Sequence, residues 1–447
     1  MFKSKKKKQK DSEAAVALEP FTLHKAVAAR DLAAVERVLE QLRGDAATIS
    51  ALDACGNSAL HLAVFLNDVP IARRLIECGA RCNLRNAARW SLVSLARSVG
   101  SVELVRLCTK VGSIEVARDY QRRVRELLPL LAELPDFALT IDWVFSSWIP
   151  LTGRFCPSDK NVLVKKGSSI RLDFTLAGFE SLAWQRGTLS AIVQGAGTTN
   201  AGRLSIVDWE KKQERRPIEA ILSPQFPQLA WRDVQVFMKQ KVGVVDSLID
   251  QVTFKPRSGW FSSAQTEQTV GGHRCKLFDM DNFRVAWRSR PAATFTPSTD
   301  GSETNTSERC GTLPADYFTA APSDVTSELL FPGEVVSTKT KTLTGTVWMC
   351  DDFPISLKQL LPLFELLAPT NNHFEKLQAF LSQTLPPGFP IKLEMPVVPT
   401  VSAAVTFSFE PLGDREPDFV VPTDFKWVMY KESFKGEAVD EEGEDEK

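Results

Sequence analysis

The chain has 447 residues, of which 43% are hydrophobic and 24% charged, and it contains 24 glycines and 26 prolines. These proportions are those of a globular protein, so they exclude a wholly disordered, collagen-like or low-complexity chain. Its 54 basic side chains nearly balance 55 acidic ones, so no basic excess indicates a nucleic-acid partner, and no apolar stretch reaches the roughly 18–20 residues of a membrane-spanning helix.

The N-terminal end is basic. Residues 1–10 contain six lysines and no acid, and such blocks of like charge stay solvated, so we expect a disordered tail over residues 1–20. A second interpretation is contact with anionic lipid, where each lysine near the surface adds on the order of 1 kcal/mol. A secretion signal is missing, and eight cysteines at irregular spacing are typical of reduced thiols, so we expect a cytosolic location. The candidate membrane contacts are Lys3, Lys5, Lys6, Lys7, Lys8 and Lys10.

An internal repeat follows the tail. The segment Ser-Ala-Leu-His-Leu-Ala-Val at 58–64 repeats a pattern already present around His24, and a weaker third copy begins at Trp90. His24 and His61 are 37 residues apart, close to the ankyrin period of about 33 with a short insertion. One helix pair cannot bury its own apolar face, so stacked neighbours supply the core. We predict about three ankyrin repeats over 21–113, in which both histidines make structural hydrogen bonds.

After the repeats the pattern changes from helices to strands. Apolar residues at helical spacing predict one helix over 115–135, and from Phe137 short apolar runs bounded by glycines predict strands. A stretch rich in serine, threonine and proline predicts a linker at 291–329. The β-rich domain is therefore expected in two parts, 114–290 and 330–412.

The second part of this domain has its own signals. Ser356 is an expected N-cap for a helix that runs through Leu367, and a second helix is expected at about 373–385. Alternating apolar residues at 391–395 and 405–409 predict two strands paired antiparallel with one buried face. The expected fold class is thus multidomain, with an N-terminal all-α ankyrin solenoid followed by an α+β domain that has an antiparallel β-rich core.

Short catalytic and cofactor motifs are missing from the sequence. It has no Gly-x-Ser-x-Gly elbow and no phosphate-binding Gly-Lys-Ser/Thr loop, and neither His273 nor His373 has a nucleophile at motif spacing. Asp279 and Asp281 alternate along the chain, a pattern typical of a solvated pair as well as of oxygen ligands to a metal. We predict a binding protein rather than an enzyme, and we assign no catalytic residue, cofactor or metal ligand.

Several long and unusual motifs carry a family resemblance. They are Trp-Val-Phe-Ser-Ser-Trp-Ile-Pro-Leu at 143–151, Arg-Phe-Cys-Pro-Ser-Asp at 154–159, Thr-Leu-Ala-Gly-Phe-Glu at 175–180, Trp-Gln-Arg-Gly at 184–187 and Leu-Pro-Pro-Gly-Phe-Pro at 385–390. In these motifs the chain resembles the ankyrin-repeat-13 family, whose members carry a GPCR-chaperone domain after their ankyrin repeats.

The resemblance implies a non-enzymatic protein. Members of one branch lie on the cytosolic face of the endoplasmic reticulum and assist or restrain newly made G-protein-coupled receptors. Other members carry C-terminal ubiquitin-interacting motifs and act on internalised receptors. The acidic run at 440–446, in an expected disordered tail over 431–447, lacks the Ala-x-x-x-Ser core of such a motif. We therefore expect a peripheral chaperone or adaptor of the endoplasmic-reticulum branch, with a membrane receptor as its partner.

Two interpretations of the tryptophans remain open. Large aromatic side chains usually fill interiors, but some of these could line a groove for an extended or helical client segment. Two other functions also remain open: a lipid- or small-ligand-binding β domain that the repeats localise, and an endosomal adaptor for ubiquitinated receptors. The candidate client-binding residues are Trp143, Trp148, Trp184 and Arg186.

Overall fold

The chain folds into two compact units. The first comprises Met1–Val105 with Glu308–Gly333, and the second Arg106–Ser307 with Glu334–Lys447; we call them the ankyrin unit and the sheet unit. The computed structural model describes residues 19, 21–147, 156–180, 183–225, 231–240, 242–248, 251–259, 264–291, 309–319, 329–331, 334–370, 378, 380–382, 385–398, 401–412 and 418–428.

Pairs of helices build the ankyrin unit. In chain order the helices are α1 (Thr22–Ala28), α2 (Leu32–Leu42), α3 (Ala46–Ile49), α4 (Ala59–Phe65), α5 (Val69–Glu77), α6 (Leu92–Val99) and α7 (Val102–Glu133). Asp31, Ser58, Asp68 and Ser91 each accept a backbone N–H from three residues ahead, which satisfies a free donor at the start of the next helix. These four side chains cap α2, α4, α5 and α6. Every residue of α4 is buried.

Helix α7 is longer than the sequence predicts. The expected helix covers 115–135, whereas α7 runs without interruption from Val102 to Glu133 and takes in the second helix of the third repeat. Gly112 weakens the helical pattern, but a single glycine costs only about 1 kcal/mol and does not end a helix. The division between the two units falls after Val105, inside this helix, and not at residue 113.

A 14-stranded sheet dominates the described part of the sheet unit. The strands are β1 (Phe137–Ser147), β2 (Ser158–Lys166), β3 (Ser169–Glu180), β4 (Ala183–Val193), β5 (Leu204–Asp208), β6 (Gln213–Arg215), β7 (Val242–Leu248), β8 (Thr253–Pro256), β9 (Glu267–Val270), β10 (His273–Arg290), β11 (Ser337–Cys350), β12 (Phe389–Val398), β13 (Val401–Pro411) and β14 (Lys426–Trp427). Their order is β14-β6-β5-β4-β3-β2-β1-β13-β12-β11-β10-β7, and β8 and β9 also pair with β10. The prediction of a large β-rich region is confirmed.

The sheet packs against helices through one main apolar cluster. The described part of this unit also contains the helices α8 (Pro217–Leu222), α9 (Trp231–Lys239) and α10 (Leu357–Leu367). The cluster joins alternate residues of the central strands, such as Leu139, Ile391 and Phe407, to the buried faces of α7 and α10. Leu393 lies opposite Val405, so the predicted antiparallel pair with one buried face is confirmed.

The predicted start of α10 is also confirmed. The helix begins directly after Ser356, whose backbone N–H and hydroxyl both donate to Gln359 Oε1 at 2.8 and 2.9 Å. Most of the helix expected at 373–385 lies outside the described residues, although Phe380 and Leu381 are buried in the main cluster.

The segment predicted as a linker belongs in part to the ankyrin unit. Residues 309–319 and 329–331 form hydrogen bonds and ring contacts with the repeats, and we call these residues the docked segment. Composition correctly indicates irregular backbone here, but composition carries no information about long-range contacts. The prediction of a linker over 291–329 is therefore wrong for the described residues 309–319 and 329, which belong to the ankyrin unit.

A buried lysine fastens the end of α7 to the sheet, and its loss is expected to weaken the sheet unit. The Lys165 ammonium is fully buried, donates to the Leu134 carbonyl oxygen and lies 3.1 Å from Asp136 Oδ1. In Lys165→Met the carbonyl loses its donor, so urea denaturation should give a free energy of unfolding lower by about 1–3 kcal/mol. Lys166→Met, at the exposed neighbouring residue, is the control and should change the free energy of unfolding less. An unchanged or higher free energy of unfolding in Lys165→Met would contradict this role.

Candidate protein-interaction surface

Neighbouring turns of the ankyrin unit are joined side by side. Asp53 Oδ1 accepts the backbone N–H of Asn57 at 2.9 Å, which closes the first turn. Asn86 in the next turn donates its side-chain amide to Asn57 Oδ1 at 2.8 Å, and Ala87 N donates to the Gly56 carbonyl at 2.9 Å. These bonds form one continuous polar edge across two repeats.

Tyr317 of the docked segment is inserted at this edge. Its hydroxyl donates to Asp53 Oδ2 at 2.9 Å and accepts from Asn57 Nδ2 at 3.0 Å, while its carbonyl lies 3.8 Å from the Cys55 thiol. Burial, together with the charge of Asp53, raises the pKa of Tyr317 far above its usual value. The hydroxyl therefore remains a protonated donor throughout the physiological range.

The beginning of the docked segment crosses the C-terminal ends of two repeat helices. Arg309 N donates to the Val99 carbonyl at 2.8 Å, and Gly311 N donates to the Phe65 carbonyl at 3.0 Å. The Arg309 guanidinium adds two bonds to the Ser98 carbonyl at 2.6 and 3.1 Å. The last carbonyls of a helix have no intrahelical donor and carry partial negative charge, so backbone N–H groups and a guanidinium suit them.

Further contacts hold the same segment. The Cys310 thiol donates to the Leu66 carbonyl at 3.2 Å, and Arg30 donates to that carbonyl at 2.5 Å and also to Cys310 Sγ. The Phe331 ring lies 5.1 Å from the Phe65 ring, and the Arg309 guanidinium lies 4.4 Å from the centre of the Phe331 ring. This surface therefore accepts an irregular peptide through its main chain, an arginine, a tyrosine and an aromatic ring.

Two histidines support the helices behind this surface. His61 Nδ1 lies 2.7 Å from the hydroxyl of Ser58, the cap of α4, and His24 Nε2 lies 3.2 Å from the Ala51 carbonyl oxygen. Both rings are buried, and burial lowers the pKa of each, that of His61 to about 4. The structural hydrogen bonds predicted for both histidines are confirmed.

The ankyrin unit is expected to lose stability in mild acid. The unfolded chain takes up a proton on His61 near pH 6.5, whereas the buried ring has its pKa at about 4. The contribution of the neutral His61 ring to the free energy of unfolding is therefore fully present above pH 6.5. It falls by up to about 1.4 kcal/mol per pH unit as the pH drops towards 4. Denaturant unfolding monitored by amide exchange in α4 at pH 7 and pH 5 measures this loss. In His61→Gln the loss of stability between pH 7 and pH 5 should be smaller. The same loss in this variant would exclude His61 as the cause.

The sheet unit has a polar corner at Asp159, next to the predicted client-binding residues. Asp159 is nearly buried and accepts the Thr175 hydroxyl at 2.7 Å and the Leu176 N–H at 3.2 Å, which ties β2 to β3. Arg186 on β4 donates to the Thr175 hydroxyl and to the Ser158 carbonyl, each at 2.7 Å. Asp159 and Arg186 thus join β2, β3 and β4 through their hydrogen bonds.

Two of the three predicted client-binding tryptophans, Trp143 and Trp184, lie on strands near Asp159 and Arg186. Trp143 on β1 lies opposite Asp159 and packs partly against the main cluster, with its indole N–H 3.0 Å from the Asn161 side-chain oxygen in the amide orientation that satisfies both groups. Trp184 on β4 is half-buried opposite Phe179. Trp148 and the lysines Lys3, Lys5, Lys6, Lys7, Lys8 and Lys10 lie outside the described residues. Client binding by these residues stays a prediction.

Asp279 and Asp281, considered above as a solvated pair or as oxygen ligands to a metal, form ion pairs. Arg257 Nε donates to Asp279 Oδ1 at 2.8 Å, and Lys255 Nζ lies 2.9 Å from Asp281 Oδ2. Among the described residues, one group of three metal-type donors is close enough to share an ion, namely His273, Cys350 and Asp352. In the same part of the chain, none of the helices combines the length and the apolar character needed to cross a bilayer.

Comparisons with known proteins agree with this architecture. The family model described as ANKRD13 C-terminal matches residues 171–313 and 316–445, and the ankyrin repeat model matches residues 55–87. The chain is 30% identical over 424 residues to ankyrin repeat domain-containing protein 13B of Homo sapiens, which covers 82% of this chain and 64% of that protein. The chain thus spans just under two thirds of the length of that relative.

A second group of relatives is covered more completely. The chain is 29% identical over 418 residues to protein 13C-A of Xenopus laevis, covering 86% of this chain and 81% of that one. It is 28% identical over 417 residues to protein 13C of Danio rerio, covering 86% and 84%. Among solved structures, the lipoprotein LppX of Mycobacterium tuberculosis is 10% identical with a TM-score of 0.21, covering 66% of this chain and 94% of that one, and at that score it carries no argument.

Proposed function

Because the chain belongs to the ankyrin-repeat-13 family, we propose that it is a non-enzymatic chaperone or adaptor for newly made multi-span membrane receptors of the G-protein-coupled type. It acts as a peripheral protein on the cytosolic face of the endoplasmic reticulum and regulates receptor biogenesis or export. The observation that carries the proposal is the docked segment, an irregular peptide held by the repeats through main-chain and side-chain bonds. The cytosolic loops and tails of a receptor offer the same kind of peptide.

The charge of the ankyrin surface suits such clients. The surface presents the C-terminal carbonyls of α4 and α6 together with the Asp53 carboxylate, and both attract cations. Cytosolic loops of membrane proteins carry an excess of lysine and arginine close to their membrane-spanning helices. A basic loop can therefore make the bonds that Arg309 makes in the docked segment.

The helix pairs act together in this proposal as a short ankyrin solenoid. Three pairs, α1 with α2, α4 with α5 and α6 with α7, follow one another in the described part of the chain. The bonds between the turns at Gly56 and Ala87 fix the spacing of neighbouring repeats. A surface that spans several repeats binds an extended segment better than one helix pair does, because each repeat adds contacts along the peptide.

We propose that the protein acts by binding alone. His24 and His61 are buried as neutral rings whose hydrogen bonds support helices, and Asp159 is engaged by the backbone of β3. These polar groups of the two units have structural partners that explain their positions without a chemical step. The basic tail, through Lys3, Lys5, Lys6, Lys7, Lys8 and Lys10, supplies a weak and salt-sensitive attachment to the membrane surface.

Proximity labelling in cells tests this function. The tagged full chain is compared with a variant that lacks residues 1–10 and with a matched variant that lacks the acidic residues 437–446. Immature multi-span receptors and endoplasmic-reticulum proteins should be enriched with the full chain and with the acidic-tail deletion. Without residues 1–10 the enrichment should fall. In isolated membranes the full chain should also detach as salt rises, and the difference between the two variants should vanish at high salt, because screening shortens from about 10 Å at 0.1 M to about 3 Å at 1 M.

Two results would contradict the proposal. A purely soluble neighbour set that does not change on removal of residues 1–10 would leave a cytosolic scaffold without a membrane role. A lipid that stays bound through purification and is detected by mass spectrometry, without receptor enrichment, would instead assign the sheet unit to ligand binding.

A further inference from the structure

Two paired strands bring four metal-type donors to one face of the sheet. Cys275 on β10 and Cys350 on β11 are direct cross-strand partners. Side chains alternate between faces along a strand, so His273, two residues before Cys275 on β10, points to the same face. Asp352 follows the end of β11 and reaches this face through the bond that its carboxylate accepts from the Cys350 thiol. The sequence spacing is His-x-Cys in one segment and Cys-x-Asp in the other, and the strand register places them side by side.

The donor atoms are close enough to share one ion. One ligand atom each from His273, Cys350 and Asp352 lies within 4.8 Å of the others. Cys350 Sγ is 2.7 Å from Asp352 Oδ1, and His273 Nδ1 is 4.0 Å from the same oxygen. With zinc bonds of about 2.0–2.3 Å, tetrahedral donors lie about 3.3–3.8 Å apart, so small side-chain rotations close the site.

We propose that His273, Cys350 and Asp352 form a binding site for a divalent transition metal of the zinc class, with Cys275 as the fourth ligand. Imidazole nitrogen, thiolate and carboxylate form a donor set that zinc accepts. Calcium and magnesium do not fit, because they require a shell made largely of oxygen atoms. The site belongs to the sheet unit and does not depend on the function proposed above.

The surroundings suit a site that is anchored on one side and open on the other. Cys350 is 1% exposed, whereas the Asp352 side chain is 77% exposed and gives an ion a route from solvent. The His273 ring packs 5.3 Å from the Phe353 ring, which limits its rotation. Binding replaces two thiol protons, that of Cys350, which now bonds to Asp352, and that of Cys275, which now bonds to the His273 carbonyl oxygen. Both S–H bonds break, two sulfur–metal bonds form, and two protons pass to the buffer.

The bound ion would fasten the end of β11 to the start of β10. Asp352 begins the short connection to α10, so the ion would also fix the entrance to that helix. Because the unfolded chain does not hold the donors together, metal binding should stabilise the sheet unit, by an amount that grows with the logarithm of the metal concentration once this exceeds the dissociation constant.

Metal titration of the full-length reduced protein tests the site. Calorimetry with Zn²⁺ should give one saturable site, and Co²⁺ should give the charge-transfer band of a cobalt thiolate with the visible bands of tetrahedral cobalt. His273→Gln and Asp352→Asn should each weaken binding by more than the ~10–100-fold that outer-shell changes cost. Asp351→Asn is the matched control, because Asp351 pairs with Lys276 at 2.6 Å and should leave binding unchanged.

The cysteine variants complete the test. Cys350→Ser and Cys275→Ser should each weaken the cobalt–thiolate band, because each removes one of two thiolate ligands, and the double variant should abolish it; a full band in Cys275→Ser overturns the assignment of the fourth ligand. Since Cys350 is buried, the exposed Asp352→Asn decides the matter if Cys350→Ser does not fold. Equal affinities of Asp352→Asn and Asp351→Asn, or no saturable binding, overturn the site. If the protein kept without reductant has two fewer free thiols, and the reduced protein takes up no metal, then Cys275 and Cys350 form a disulfide instead of a metal site.

Discussion

Gly56→Ala is expected to destabilise the ankyrin unit by about 2–5 kcal/mol. Gly56 has φ +76°, where a side chain costs roughly 1–2 kcal/mol, and a Cβ there would lie 2.2 Å from Ala87 Cβ. The overlap adds about 1–3 kcal/mol, because the neighbouring turn is held by its own hydrogen bonds and can move only by breaking them. Denaturant unfolding, followed by amide exchange in residues 53–66, measures the loss.

Gly44→Ala separates the two causes. Gly44 belongs to the same unit and has φ +75°, but no atom lies within 4 Å of the position its Cβ would take. This variant should lose only the backbone part, about 1–2 kcal/mol. If the two variants lose the same amount of stability, the close contact between neighbouring turns does not stabilise the unit as we describe.

Gly311→Val is expected to release the docked segment from the repeats. A Cβ at Gly311 would lie 2.4 to 2.6 Å from three atoms of the Phe65 ring, and Phe65 is 1% exposed, so its ring has little room to move. Amide exchange in residues 309–319 should rise by more than tenfold, while exchange in α4 and α6 stays slow. Removing an intramolecular competitor, whose effective concentration is in the ~mM range, should also raise the affinity for an added basic peptide more than tenfold.

A second-site change tests the mechanism of this release. Phe65→Leu removes two of the three ring atoms that a Cβ at position 311 would meet, Cε1 and Cζ, so the double variant should recover part of the slow exchange in residues 309–319. The matched substitution Thr312→Val, one residue along the same segment, should leave the segment in place. Continued protection of residues 309–319 in Gly311→Val would contradict the close fit of this glycine against Phe65.

Local signals predicted the parts of the fold that depend on neighbouring residues. The cap at Ser356 and the alternation in β12 and β13 each have a cause within a few residues, and the structure has these features where expected. The continuity of α7 was missed because Gly112 breaks the apolar pattern without breaking the helix.

The features that could not be predicted from the sequence depend on contacts between residues that are far apart in the chain. Tyr317 meets Asp53 across 264 residues, and nothing in a stretch rich in serine, threonine and proline marks one tyrosine as buried. His273 had no partner at motif spacing because its neighbours, Cys350 and Asp352, reach it only through the register of β10 with β11. The spaced pairs His-x-Cys and Cys-x-Asp were a usable signal, but only once the two strands were known to be adjacent.

The most direct test of the account is site-specific photo-crosslinking while receptors are made in microsomes. A photoreactive side chain at Leu52, 45% exposed beside the Asp53 turn, is compared with one at Val420, 65% exposed in the sheet unit. The account predicts adducts between position 52 and newly made receptor chains, and more of them when Gly311→Val frees the surface. Adducts only at position 420, or adducts at position 52 that do not respond to Gly311→Val, would contradict the claim that the ankyrin surface binds the client.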